Sequence, residues 1–463
     1  MLKKFKNKIN DDLHLKELLK GSGISFILKI AGMGFGYIFT ILLTRNYGAK
    51  IMGIYALSLV VLQVGTIIGR FGMNTAVLRF VAEYNSQNKK DMINEIYKKI
   101  IKLITPISFA ISVAVFFLSP YIAHYFFHKD YLSNYFRIIA IGIVPYVLFI
   151  INSESLRGLK KIKEYAFLQN MGVSFVASIL LGLSLFIIKN DYIPVTIYII
   201  SLFLMSLLSF FLWFKKFNFI NFSSNTKLFE TQTLSLNPNN LSLGNNPHII
   251  PYKNILSIST PMLISGSLGV FLGLIDITIL GIFKTSSAVG IYSVVVKLSS
   301  VVILSLVTIN TIAAPKYAEF WSKGDKQGLL KIARQSTKII FWISSPILLA
   351  IIIFPNYILG FFGQGFRTGE MALIMMVFGQ FINAISGSVG YILEMTGFQI
   401  FTQNIMIASV IINIILNLLL VPKFSINGAA FASMITLVFW NLTMGLKVKN
   451  ILGGWVFFKP FYN

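Results

Sequence analysis

Apolar positions in this chain come in long blocks, not in the two-residue alternation of a half-buried strand. Twelve blocks stand out, at about 21–44, 51–72, 102–119, 136–156, 166–188, 193–214, 255–283, 288–312, 339–355, 371–393, 400–421 and 428–446. A helix needs about 20 mostly apolar residues to cross a bilayer, whereas barrel strands need about 9–11 alternating ones. The pattern predicts an all-α polytopic membrane protein with about twelve transmembrane helices. The first block is of full crossing length and follows a polar, amphipathic stretch, so a cleaved signal peptide is not expected.

Composition agrees. Of 463 residues, 56% are hydrophobic and 12% charged, about half the charge of a soluble domain, and mean hydropathy is +0.76. The net charge of +24 is spread thinly between apolar blocks, which excludes the dense basic surface of a nucleic-acid binder. Without cysteine there is no disulfide framework, thiolate metal site or cysteine nucleophile. With the N-terminus inside, the inner connections hold 29 Lys and Arg and the outer ones 8. Cytoplasmic loops retain basic residues, so a cytoplasmic-membrane protein with both termini cytoplasmic is expected.

The chain also repeats. Gly53-Ile54-Tyr55 recurs as Gly290-Ile291-Tyr292, Ala82-Glu83-Tyr84 as Ala318-Glu319-Phe320, and Gln169-Asn170 as Gln403-Asn404. Pro106 in the third block matches Pro346 in the ninth, and the offset stays between 234 and 240. Two six-helix halves in the same orientation imply an axis along the membrane normal, with the working site between them. The expected organisation is an amphipathic N-terminus (1–20), a first bundle (21–214), a cytoplasmic linker rich in Asn, Ser and Leu (215–254), a second bundle (255–450) and a tail (451–463). The stretches 2–20, 84–102 and 318–338 are either amphipathic helices on the inner leaflet or solvated connections.

Several residue groups resemble those of a known family. They are Thr44-Arg45-Asn46-Tyr47-Gly48, Met52-Gly53-Ile54-Tyr55-Ala56-Leu57, Arg70-Phe71-Gly72-Met73-Asn74 and Arg79-Phe80-Val81-Ala82 in the first half. In the second half they are Asp276 with Ile279-Leu280-Gly281, Val289-Gly290-Ile291-Tyr292 and Lys297-Leu298. The ordered set resembles the polysaccharide-transporter, or Wzx-type oligosaccharide flippase, family of the multidrug/oligosaccharidyl-lipid/polysaccharide (MOP) exporter superfamily. The resemblance spans about residues 20–450. It implies a MATE-like fold of two pseudo-symmetric bundles and ion-coupled alternating access. The cargo it implies is a polyprenyl-diphosphate-linked oligosaccharide, with polysaccharide polymerase and glycosyltransferases as expected partners.

Charge retained inside a membrane usually faces a wet cavity or a partner. Lys29 and Lys297 lie within the first and eighth blocks. The resemblance implies that cations here meet the cargo's diphosphate. Lys29 could instead snorkel to the interface. Arg70 and Arg157 are further candidates for diphosphate binding, though Arg70 could mark the interface and Arg157 could pair with Glu154. Asp276 is the one acidic residue well inside a block, and Asn413 and Asn417 share a helix face. The resemblance implies a coupling-ion site, for Na+ or H+, at Asp276, Asn413, Asn417 and Thr436. The alternative is an Asp276–Lys297 salt bridge, with the asparagines gluing helices. Pro261, Gly266 and Gly269 make the seventh helix a candidate hinge.

Enzyme chemistry finds little footing, and no cofactor is expected. His124 and His128 lack a third ligand nearby, Asp11-Asp12 lacks a catalytic domain, and Gly21-x-Gly23 lacks a preceding strand. Gly32/Gly36, Gly65/Gly69 and Gly269/Gly273 have the spacing of close helix packing. Two other functions fit the same blocks: a multidrug or organic-cation antiporter of the same superfamily, and a non-transport scaffold for polysaccharide assembly. Two lysines against one aspartate in the centre favour an anionic cargo.

Overall fold

The computed structural model describes residues 13–187, 190–225 and 252–459. All regular structure among them is helical. Among the described residues, nine helices are long and apolar enough to cross a membrane. Two of the nine each contain two crossings. Leu13–Arg70 breaks at Gly48 (φ 76°, ψ −178°), and Gln399–Leu452 breaks at Ser425 (φ 53°, ψ −131°). The rings of Phe39 and Tyr55 lie 5.4 Å apart, where a straight helix would separate them by about 24 Å. Likewise Asn413 Nδ2 reaches Thr436 Oγ1 at 3.4 Å, so the chain reverses at both breaks.

With the apolar helix Tyr252–Phe283, which is not among the nine, twelve crossings result among the described residues. The first six are α1 (13–47), α2 (49–70), α3 (Lys90–Tyr121), α4 (Leu132–Gly158), α5 (Ile162–Ser184) and α6 (Ile193–Asn225). The second six are α7 (Tyr252–Phe283), α8 (Ser286–Ser322), α9 (Lys326–Ile353), α10 (Glu370–Ser386, resumed as Val389–Met395), α11 (399–424) and α12 (426–452). Large apolar side chains such as Phe109, Phe117, Phe186, Trp342 and Tyr357 are exposed on the outside of the bundle, as a lipid-facing surface requires.

The repeat is visible in main-chain bonds. At the turn into α3, amides of Gln87, Asn88, Lys89 and Lys90 donate to Glu83, Asn85, Tyr84 and Asn88. At the turn into α9, amides of Lys323, Gly324, Asp325 and Lys326 donate to Glu319, Trp321, Phe320 and Gly324, 236 residues later in every case. The turns after α4 and α10 also correspond, with Lys160 (φ 59°) matched by Gly397 (φ 88°). These two hairpins revise the reading of 84–102 and 318–338. Neither stretch is a separate surface helix; each is the end of one helix, a tight turn and the polar start of the next. The short helix Met73–Ser86, which buries Met73, Val77 and Val81, is the element lying between crossings.

One end of the bundle carries the turns at 87–89, 159–161 and 323–325 with their lysines; it is the basic end. The opposite, far end carries the junctions at 48, 127–131, 284–285, 354–369 and 425. There the halves meet closely. A Cβ on Gly53 would stand 2.6 Å from the carbonyl carbon of Ser286 and 2.9 Å from the amide nitrogen of Gly290. A Cβ on Gly290 would stand 2.8 Å from the Gly53 nitrogen. Three hydrogen bonds cross the same seam: Arg45 Nε to Phe361 O (2.8 Å), Lys129 Nζ to Gly281 O (2.5 Å) and Tyr131 Oη with Ser286 Oγ (2.9 Å).

The expected glycine packing holds in part. Gly32 abuts the backbone of Asn170, while Gly65 and Gly69 pack on Ile143, Ser108 and Val147. Gly36 instead makes room for Lys297, and Gly273 faces open space. The Gly53–Gly290 crossing, where Ala49/Gly53 and Ser286/Gly290 have the same small-xxx-small spacing, is tighter than any of these pairs. Helix α7 runs unbroken from Tyr252 to Phe283, through Pro261, Gly266 and Gly269. Residues 1–12, with Asp11-Asp12, and 226–251, most of the expected linker, lie outside the described residues.

Candidate functional site

Two polar clusters lie inside the helical bundle. The first is a cleft of about 380 Å³ between the halves, lined by α1, α5 and α8. Lys297 sits roughly 16 Å along α8 from the far end at 1.5 Å per residue, near the middle of a ~30 Å hydrocarbon core. Its Nζ donates to Gly36 O (2.6 Å) and Thr40 Oγ1 (2.5 Å), and lies 5.4 Å from the Tyr37 ring centroid. Tyr37 Oη returns a bond to Lys297 O at 2.8 Å. An ammonium has three donors, so one remains for a ligand. Half-buried Lys29 lines the same cleft from the other half, and the lining contains no acidic residue.

The cleft walls are irregular helix. Gln169 and Asn170 belong to a π-helical stretch, Phe167–Gly172, in α5, and Ser300 opens a 3-10 stretch, Ser300–Val302, in α8. Mid-helix irregularities of these kinds concentrate at functional sites and hinges. The buried Nε2 of Gln169 has no hydrogen-bond partner, so it can serve as a donor to a ligand. Gln169 and Asn170 were visible in the sequence as repeat landmarks, but nothing there assigned them to a cleft.

The second cluster surrounds Asp276, which is 5% exposed. Tyr292 Oη (2.6 Å) and Ser433 Oγ (2.5 Å) donate to its Oδ2, and Asn417 Nδ2 (2.8 Å) donates to its Oδ1. Asn413 joins through Asn417 and reaches Thr436 Oγ1 at 3.4 Å. The four expected residues do converge. Sequence reasoning missed Tyr292 and Ser433; the former stood in a landmark triplet, and the latter is one turn before Thr436. No Asp276–Lys297 salt bridge forms, since Lys297 is held by α1, and among the described residues no cation pairs with Asp276. The buried Oδ1 of Asn417 is also without a partner. A buried carboxylate lacking a countercharge is costly, and the oxygens around it are the hard donors that an alkali cation takes.

Arg70 and Arg157 do not reach the lysine cleft. Arg157 pairs with Glu154 (3.4 Å) and lies over the Tyr165 ring (5.0 Å), at the basic end of α4. Arg70 lies within electrostatic reach of the same Glu154 and of Tyr146. His124 bonds Asp130 at 2.8 Å, and among the described residues no group of three His, Asp or Glu could hold a metal.

Against known proteins, the family described as "Polysaccharide biosynthesis protein" matches residues 18–321, well over half of the chain. The chain belongs to that family. A second family, described as MatE, matches residues 261–419. A relative from Haloferax volcanii, "Probable low-salt glycan biosynthesis flippase Agl15", is 25% identical over 182 residues, 39% of this chain and 39% of that protein. Two solved structures share the fold. One is lipid II flippase MurJ in an inward closed conformation, with a TM-score of 0.68 and 14% identity over 93% of this chain and 87% of that one. The other is an inward-facing multidrug resistance MATE family transporter of the MOP superfamily, with a TM-score of 0.69 and 13% identity over 92% and 98%. This member of the polysaccharide biosynthesis family is therefore an all-α membrane protein with the MATE-like fold of the MOP superfamily.

Proposed function

We propose that the protein is a flippase for a lipid-linked glycan in the cytoplasmic membrane, carrying a polyprenyl-diphosphate-linked oligosaccharide between leaflets. One observation carries the reading: Lys29 and Lys297, from opposite halves, line a single cleft free of acidic side chains. A diphosphate group in a low-dielectric cleft needs countercharge, and lysine provides it as a point charge with rotatable donors. The spare donor of Lys297 and the unpaired Nε2 of Gln169 supply hydrogen bonds. Family membership and the flippase relative point the same way. An organic cation would be repelled by the same lining, which argues against a multidrug cargo.

The concentration of lysines marks the basic end as cytoplasmic. With the halves in backbone contact at Gly53 and Gly290 near the far end and the cleft lying towards the basic end, the conformation is the inward-facing one of an alternating-access cycle. A cation at Asp276 is the coupling ligand in this reading. Asn413, Asn417 and Thr436 provide oxygens for sodium, with the Asn417 amide turning its free Oδ1 inward. The test is flipping of a prenyl-diphosphate glycan in proteoliposomes. Lys297→Gln should reduce the rate at least about tenfold, the worth of a charge-assisted bond, while the protein stays folded; wild-type flipping by this variant would overturn the phosphate-binding role.

A further inference from the structure

Besides the two clusters, a cavity of about 500 Å³ opens at the far end, between the halves. One wall is the α1–α2 junction, with Arg45 and Gly48; the other is the loop after α9, with Gly360, Gly363 and Gly365. Gly48 (φ 76°) and Gly363 (φ 129°) adopt conformations that side chains resist, so the backbone here is committed to this shape. Arg45 spends only Nε on Phe361 O, leaving most of its fork unused. Arg367 lies along the opposite wall: a Cβ on Gly360 would be 3.3 Å from both its Nε and its Nη2.

Three other cations at this end are occupied. Lys129 holds Gly281 O, Lys284 holds Pro422 O at 2.9 Å, and Lys50 lies 5.4 Å from the Tyr131 ring centroid. Two acids at this end are engaged as well: Glu370 accepts from Asn356 at 2.7 Å, and Asp130 bonds His124. Among the described residues neither Arg45 nor Arg367 has an acidic partner. Arg45 thus lines a glycine-walled cavity whose lining contains no carboxylate, and Arg367 stands beside Gly360 of the opposite wall. Planar forks of this kind match phosphate and carboxylate oxygens.

We propose that this cavity is an oxyanion-binding site for a phosphate-bearing ligand, with Arg45 in its lining and Arg367 beside the opposite wall. Its walls come from both halves, so it exists only while the halves meet at the far end. Anion binding is then linked to that conformation and stabilises it, whatever the cargo in the lysine cleft.

The cysteine-free chain allows a direct test. Gln364, exposed on the rim, is replaced by Cys and labelled with a charged maleimide in detergent, with increasing inorganic phosphate, a short-chain prenyl phosphate or a neutral disaccharide. Phosphate should slow labelling at constant ionic strength, and Arg367→Gln should weaken that protection at least about tenfold. Arg367 makes no bond across the seam, so this variant leaves the latch at Arg45 in place. Gly365→Leu, whose Cβ meets open space, should weaken protection by occupying part of the cavity without removing charge. Protection by inorganic phosphate assigns the anion to bulk solution; protection by the prenyl phosphate alone assigns it to a lipid headgroup. Equal protection by the disaccharide, none by either anion, or undiminished protection in Arg367→Gln would each overturn the site. None of these outcomes depends on what the protein flips.

Discussion

Replacing Gly53 with alanine is the smallest change that tests whether the halves part at the far end. The added methyl would sit 2.6 Å from the Ser286 carbonyl carbon and 2.9 Å from the Gly290 nitrogen, whereas real Cβ contacts do not fall below 3.0 Å. Both opposing atoms are backbone, so no side chain can swing away, and α2 and α8 must separate by roughly 1 Å. Overpacking of this kind costs about 1–3 kcal/mol. The cost falls on the closed conformation alone, because a carrier open at the far end has no such contact. The closed-to-open ratio should therefore drop by roughly 5- to 150-fold. Gly290→Ala should behave alike, since it meets the Gly53 nitrogen at 2.8 Å from the pseudo-symmetric position. Val289, fully buried beside the crossing, serves as reporter. A Val289→Cys protein in proteoliposomes should gain labelling by an impermeant maleimide when either alanine is added. Unchanged labelling in a folded Gly53→Ala protein would refute the idea that this crossing opens.

Coupling gives a second outcome: Asn417→Ala removes a donor and a candidate oxygen from Asp276, and should raise the sodium needed for half-maximal flipping at least about tenfold. If flipping instead follows an imposed pH gradient and ignores sodium, the proton takes the place of sodium and Tyr292→Phe should impair transport more than Asn417→Ala. Topology gives a third: single cysteines at Lys89 and Lys323, in the two matching hairpins, should resist impermeant reagent added outside intact cells. Strong labelling of either from outside would reverse the assigned orientation.

Much of this architecture was legible because a bilayer imposes it. Apolar blocks set the twelve crossings, and basic residues between them set an expected orientation. Asp276, Asn413, Asn417 and Thr436 were also legible, since a carboxylate and paired amides stand out against Leu and Ile. Tyr292 and Ser433 were not, because hydroxyl-bearing residues are common in membrane helices and only the tertiary fold shows which ones face a carboxylate. For Arg70 and Arg157 the sequence left two readings open, diphosphate binding or a local role; Glu154, one turn from Arg157, was legible as its partner, and the structure forms that pair. The hairpins at 87–89 and 323–325 were blurred by charge density: lysines drew attention to an amphipathic surface helix, while the turn itself depends on Asn88 and Gly324 taking positive φ.

The irregular stretches Phe167–Gly172 and Ser300–Val302 bear on how the cleft would select what it holds. A π or 3-10 segment shifts the regular ladder of main-chain bonds and frees peptide groups, here beside Lys29 and Lys297. Peptide carbonyls and amides can hydrogen-bond sugar hydroxyls as well as side chains do, and no substitution removes them. Selectivity written in the main chain would survive an alanine scan of the lining almost untouched. It would yield instead to changes that restore regular helix. Deleting one residue within 167–172, which returns the π segment to α geometry, is therefore a sharper probe of glycan discrimination than any truncation of a side chain.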